Sequence, residues 1–211
     1  MTILEAVVDF LRADGWTIDA AARVAGLDED EALELTEALA RHSLIQLDHT
    51  DLGPRCRMLE TVREFISERL ANRADAAEIA RRHAGFYRAL ADQADRPLRA
   101  AQADTVERMD VEAGNVAAAV RWHLANDPAP LPHLFRVLWP FWFLRGHPDE
   151  ALVRQRVDQL LPIASSLGRQ AQEELLWTAG ASATDLGDDQ AAQAVRQRLE
   201  PLLPEIRDPF L

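Results

Sequence analysis

The sequence predicts a mainly α-helical fold, and three observations carry that expectation. Apolar residues recur at intervals of three and four along most of the 211 residues. A single stretch near residues 44–59 alternates as a β-hairpin would. Glycine and proline then cut the helical pattern into short pieces, as turns between packed helices do.

In order, Ile3, Val7, Phe10 and Leu11 stripe a first helix over 3–12, which Asp14-Gly15 breaks. Thr17 is placed to cap a second helix that Gly26 ends, and Asp28 to cap a third carrying Leu33, Leu35, Ala38 and Leu39. Leu44, Ile45 and Leu47 read as a strand, His49 to Pro54 as a polar turn, and Arg55 to Leu59 as the returning strand. Short helices followed by a hairpin is the layout of a winged helix, expected over 1–70. Helical periodicity then resumes. Met58, Val62, Phe65, Ile66 and Leu70 form one stripe, and Ile79, Phe86, Tyr87 and Leu90 a second that is expected to end before Pro97. Val106, Met109, Ala113, Val116 and Val120 mark a third, ending before Asp127-Pro128. Residues 71–127 are thus expected to be a helical connector, with Pro128, Pro130 and Pro132 as a linker.

Residues 128–211 read as two helical hairpins. WFLRGHPDEA (142–151) is similar to ATDLGDDQAA (183–192), their glycines Gly146 and Gly187 lie 41 residues apart, and Leu-Leu-Pro closes each at 160–162 and 202–204. A repeated helix pair with a shared turn glycine suggests a solenoid related to tetratricopeptide repeats (TPR), with helices longer than the ~34-residue unit provides. The finish in RDPFL leaves no polar capping helix, so a truncated array is expected.

Composition narrows the chemistry. Hydrophobic residues make up 48%, enough for sizeable cores, and the formal charge is -12, with all 23 basic residues arginine. Cys56 is the sole cysteine, which rules out an internal disulfide and the multi-cysteine zinc patterns. The N-terminal MTILEAVVDFLRADG lacks a leader's basic start and apolar core, and the run from Leu131 to Leu144 is broken by Pro132, His133, Arg136 and Pro140. A cytoplasmic protein without a membrane role is expected.

No catalytic pattern is found. Phosphate-loop, nucleophile-elbow and dinucleotide-fold glycine motifs are missing, and without lysine no Schiff base can form. His42, His49, His83, His123, His133 and His147 are scattered, without the partners a metal site needs. No enzyme, catalytic residue, metal or cofactor is therefore expected in this chain. Winged helices often bind DNA, but residues 1–59 hold 12 acidic residues and 5 arginines, a balance of -7, and the third helix reads DEDEALELTEALARHS. That surface repels phosphate, with Arg55 and Arg57 as its positive cluster. Packing on protein is favoured over DNA. In the second half, Phe135, Leu138, Trp139 and Trp142 make a core stripe, while Phe141 and Phe143 fall off it and, with Arg145, are candidate partner contacts. Pro140 should kink that helix.

Six stretches add a resemblance: GWTIDAAARVAG (15–26), ALARHSLIQLD (38–48), RMLETVREFISERL (57–70), RRHAGFYRALADQA (81–94), EAGNVAAAVRWHL (112–124) and LWPFWFLRGH (138–147). In this order they resemble the region after the nucleotide-binding domain in bacterial STAND-type regulators, the NB-ARC-containing relatives of the LuxR-type and antibiotic-regulatory-protein families, across roughly residues 1–165. The resemblance implies a winged helix, a helical connector and TPR-like repeats that follow a P-loop ATPase. ATP or ADP would then sit on that separate domain. Related ATPases sense bound ADP through a Met-His-Asp stretch in the winged helix. Met58 matches it, whereas Leu59 stands at the histidine and Glu60 at the aspartate, so no imidazole can reach a phosphate from there.

The expected role is a regulatory, protein-interacting module that couples a ligand or partner on the repeats to a nucleotide-binding domain in cis or in trans. A DNA-binding winged-helix regulator with a helical sensor domain is the first alternative, and a free-standing TPR-like adaptor the second.

Overall fold

A computed structural model describes residues 15–59, 62, 74–100, 102–145 and 150–205. The expected first helix, most of the 60–70 stripe, the Gly146 turn and the RDPFL finish lie outside them. The described elements are α1 (Ile18–Ala25), α2 (Glu29–Arg41), β1 (Ile45–Thr50), β2 (Gly53–Met58), α3 (Ala76–Arg99), α4 (Ala103–Val111), α5 (Ala113–Asn126), α6 (Leu131–Arg145), α7 (Glu150–Leu160), a 3-10 turn (Leu161–Leu167), α8 (Arg169–Asp185), α9 (Asp189–Leu199) and a second 3-10 turn (Glu200–Glu205). The fold is mainly α-helical with one antiparallel hairpin among the described residues. By its internal contacts the chain divides into two units, residues 1–90 with 107–122 and residues 91–106 with 123–211.

In the first unit, local chemistry sets the helix ends. The Thr17 side chain accepts the Ala20 N–H at 3.2 Å, supplying a partner for one of the amides a helix start leaves unbonded. Gly26, at φ 73°, turns the chain out of α1, and the Gly26 and Leu27 N–H groups both donate to the Ala22 carbonyl. A reciprocal capping box starts α2: Asp28 accepts the Glu31 N–H at 2.8 Å, and Glu31 accepts the Asp28 N–H at 3.2 Å. The helix closes on Ser43, whose φ of 57° is a conformation glycine adopts at lower cost. Ser43→Gly is expected to stabilise this unit by about 0.5–1 kcal/mol, measured as a shift in its urea midpoint.

The hairpin pairs Ile45 with Met58, Leu47 with Cys56, Asp48 with Arg55 and Thr50 with Gly53. Its turn is therefore only Asp51-Leu52, tighter than the expected His49–Pro54, because the ladder continues through those polar residues. Trp16 forms a bridge to Cys56 through bonds of 2.9 and 2.8 Å, and its side chain is fully buried. Gly15 precedes it at φ 84°, and a Cβ there would lie 2.4 Å from the Cys56 carbonyl oxygen. Only glycine fits that approach.

Three helical expectations are corrected. The helix α3 runs past Pro97 to Arg99. A proline in a last turn forfeits a single intrahelical bond, and burial of Leu98 holds the turn in place. The single helix expected through residues 106–120 is interrupted at Glu112, which separates α4 from α5. The proline linker shrinks to residues 127–130, since α6 begins at Leu131 and takes Pro132 into its first turn, where a missing N–H costs nothing.

In the second unit α6 is buried on most sides, through Leu131, Leu134, Phe135, Val137, Leu138, Trp139 and Phe141. A helix apolar around its circumference belongs in the centre of a unit. It remains helical through Pro140. The helix α8 lies against α6, α7, α9 and the first 3-10 turn. Two successive helix pairs, α6–α7 and α8–α9, each lead into a 3-10 turn.

Candidate functional site

The helix that precedes the hairpin is the one a winged helix offers to DNA. Here α2 packs Ala32, Thr36 and Leu39 inward, and the Thr36 hydroxyl donates back to the Ala32 carbonyl at 2.7 Å. Its solvent side carries Asp28, Glu29, Asp30, Glu31, Glu34 and Glu37 around an exposed Leu33, with Arg41 in the last turn. The helix N-terminus, where backbone N–H groups could hold a phosphate, is occupied by the Asp28–Glu31 box and neighbouring carboxylates. Duplex binding rests on replacing counterions with protein cations, and this face supplies the opposite charge.

The two arginines expected as one positive cluster differ in exposure. Arg57 is exposed, its side chain at 64%, and faces Asp48 across the hairpin at 3.5 Å. Arg55 is only 7% exposed. Its guanidinium donates to Glu112 Oε1 at 2.6 Å and to the Gly15 carbonyl at 3.1 Å. Asn115, also buried, donates to the same carbonyl at 3.1 Å and to Glu112 Oε2 at 2.8 Å. The expectation of Arg55 as a surface contact is thus corrected. It is a structural staple joining the segment before α1, the strand β2 and the break between α4 and α5.

The same region buries two further reactive groups. The Cys56 thiol is pushed up to about 11 by burial, a shift that neighbouring Arg55 only partly offsets, so it stays a protonated, inert side chain. His83 is lowered to about 4 by burial, against a hydrogen bond with Asn115 that favours its charged form. It is neutral at physiological pH and lies 4.7 Å, ring to ring, from Tyr87. Met58 is buried opposite Ile45, and Leu59 is 42% exposed. Glu60 lies outside the described residues.

Of the contacts expected in the second half, Phe141 is buried, 2% exposed, and belongs to the core of its unit. A helix enclosed on most sides buries off-stripe positions as well, and Phe141 is one of them. Phe143, 57% exposed, and Leu144 and Arg145 stand at the solvent-facing end of α6. Among the described residues no group of His, Cys, Asp and Glu could hold a metal ion, and no helix is long and apolar enough to cross a membrane.

Residues 11–71 match a protein-family model described as a winged helix-turn-helix domain. Over 136 residues the chain is 32% identical to a protein of Mycobacterium bovis named as an HTH-type transcriptional regulator. Two Mycobacterium tuberculosis proteins with that name, from strains CDC 1551 and H37Rv, match at the same identity. The aligned region is 64% of this chain and 15% of each relative, so the chain spans only a small part of their length. No solved structure is significantly similar to it. The chain therefore carries a winged helix-turn-helix domain, α1, α2 and the β1–β2 hairpin, within a mainly α-helical protein.

Proposed function

We propose that this chain is the regulatory, protein-interacting segment of a STAND-type transcriptional regulator. Its winged helix docks on a nucleotide-binding domain supplied in cis or in trans, and its TPR-like hairpins receive a protein or ligand. The supporting observation is the solvent face of α2, six carboxylates with Leu33 among them, together with the inward turn of Arg55. Such a face suits a basic protein surface and opposes a nucleic acid backbone. ATP or ADP would sit on the docked domain. The segment acts as a switch if it binds the two nucleotide states unequally, because a ligand on the hairpins then shifts the balance between them. Such a regulator works in the cytoplasm.

The test is affinity for that nucleotide-binding domain, expressed from the same or a neighbouring reading frame, in ATP and in ADP. A difference of about fivefold or more is expected, the lower end of usual coupling energies. Reversing charge at Asp30, Glu34 and Glu37 should weaken the association in either nucleotide. Equal affinity in both states, or no association, defeats the switch.

A second reading has its own support, the winged helix-turn-helix match and the transcriptional-regulator name of the relatives. In it the winged helix binds DNA directly and the helical hairpins act as its sensor domain. The acidic face of α2 weighs against that reading, and duplex binding at low salt separates the two.

A further inference from the structure

We propose that His133 is a proton-operated latch inside the second unit, holding the α3 residue Asp92 and the α8 residue Glu174 to α6. His133 sits one turn into α6, and both of its ring nitrogens face carboxylates: Nδ1 lies 2.9 Å from Glu174 Oε1 and Nε2 lies 3.6 Å from Asp92 Oδ1. A neutral imidazole has a single N–H. In either tautomer of that form, one nitrogen would point a lone pair at a carboxylate, so the arrangement fits the imidazolium.

The surrounding charges point the same way. Arg136, buried one turn along α6, reaches Asp95 Oδ2 at 3.3 Å and Glu174 Oε1 at 3.5 Å. Gln170 of α8 donates to the same Glu174 oxygen at 3.2 Å. With His133 protonated, two cations meet three carboxylates. Without that proton, Asp92 and the nearly fully buried Glu174 each lose a positive charge beside them. Arg136 Nη2 lies 3.5 Å from His133 Nδ1 and opposes protonation, an effect the three carboxylates outweigh. The hydrogen bond to Glu174 leads the causes that raise the histidine above 6.5, burial opposes it, and the charges of Glu174, Asp92 and Asp95 add to it.

A group whose proton is held more tightly in the folded state stabilises that state fully below its unfolded value, and the benefit fades as pH rises through the folded one. The latch therefore closes below the unfolded value and loosens as pH rises through the His133 midpoint. Release gives up the Asp92–His133 contact between α3 and α6 and the His133–Glu174 contact between α6 and α8, and leaves Asp95 on Arg136.

The test uses the full chain, labelled with 15N. The His133 imidazole is titrated by NMR, and amide exchange of residues 91–99 is followed over the same pH range after correction for intrinsic rates. We expect a midpoint above 6.5 that falls in Glu174→Gln, and protection of 91–99 that declines through that midpoint. In His133→Gln the decline should vanish. A wild-type midpoint at or below 6.5, a midpoint indifferent to Glu174→Gln, or an unchanged decline in His133→Gln overturns the latch. Should either variant fail to fold, the wild-type midpoint and its coincidence with the loss of protection decide the matter.

Discussion

Replacing Glu112 with alanine is expected to remove about 3–5 kcal/mol from the stability of the first unit, the range for breaking one side of a buried ion pair. The magnitude follows from what the loss leaves behind. Arg55 keeps its charge at any accessible pH and is buried by β2 and the segment before α1. With the carboxylate gone, its Nη1 loses the 2.6 Å bond, and Asn115 loses one of its two acceptors. Replacing both charges, Arg55→Met with Glu112→Leu, should be milder than either single change, because both charges leave the interior together. Arg57→Ala is the surface control and should cost less than about 1 kcal/mol, since its pairing with Asp48 is exposed to solvent. Urea denaturation, with amide exchange of α1 and β2 assigning the loss to this unit, measures all three. A Glu112→Ala protein within 1 kcal/mol of the parent would mean that the pair is solvated.

Gly15→Ala carries the second large effect, a loss of about 3–4 kcal/mol. The left-handed backbone penalises any Cβ by about 1–2 kcal/mol. The Cβ would also sit 2.4 Å from the Cys56 carbonyl, a backbone atom that cannot swing aside. Relief requires opening the Trp16–Cys56 bridge, two hydrogen bonds that contribute about 1 kcal/mol each. Gly85→Ala serves as control. It lies within α3 with nothing inside 4 Å of the added carbon, so the change should be neutral or stabilising by up to about 1 kcal/mol. Thermal melts of the two variants side by side check the contrast.

The features legible in the sequence are those set by a few neighbouring residues. Thr17, Gly26 and Asp28 act where their chemistry says they should, because a cap is satisfied within four residues. The hairpin was visible in its alternation. What escaped was non-local. Arg55 reads as a wing cation until Glu112, 57 residues away, is brought against it. The Trp16 bridge adds a single residue to the hairpin and so leaves no alternating pattern to find. Pro97 and Phe141 were misplaced for a shared reason. Local rules on proline and helix faces were overridden by burial, of Leu98 in one case and of nearly all of α6 in the other.

These displacements bear on the candidate site. The sequence already showed an acidic α2, but it credited the wing with two surface arginines. With Arg55 turned inward, Arg57 is the arginine β2 presents to solvent, and it faces Asp48. The electrostatic case against a phosphate-binding surface is therefore stronger in the fold than in the composition.

The proposed role has this winged helix meet protein and not the DNA backbone. Its most direct test is fluorescence anisotropy of a labelled mixed-sequence duplex titrated with the chain at about 50 mM salt, where non-specific phosphate contacts are strong enough to register without knowledge of a target site. No saturable binding is expected, and no dependence on salt. Saturation that weakens steeply as salt is raised toward about 200 mM, with a log–log slope worth several phosphate contacts, would contradict it.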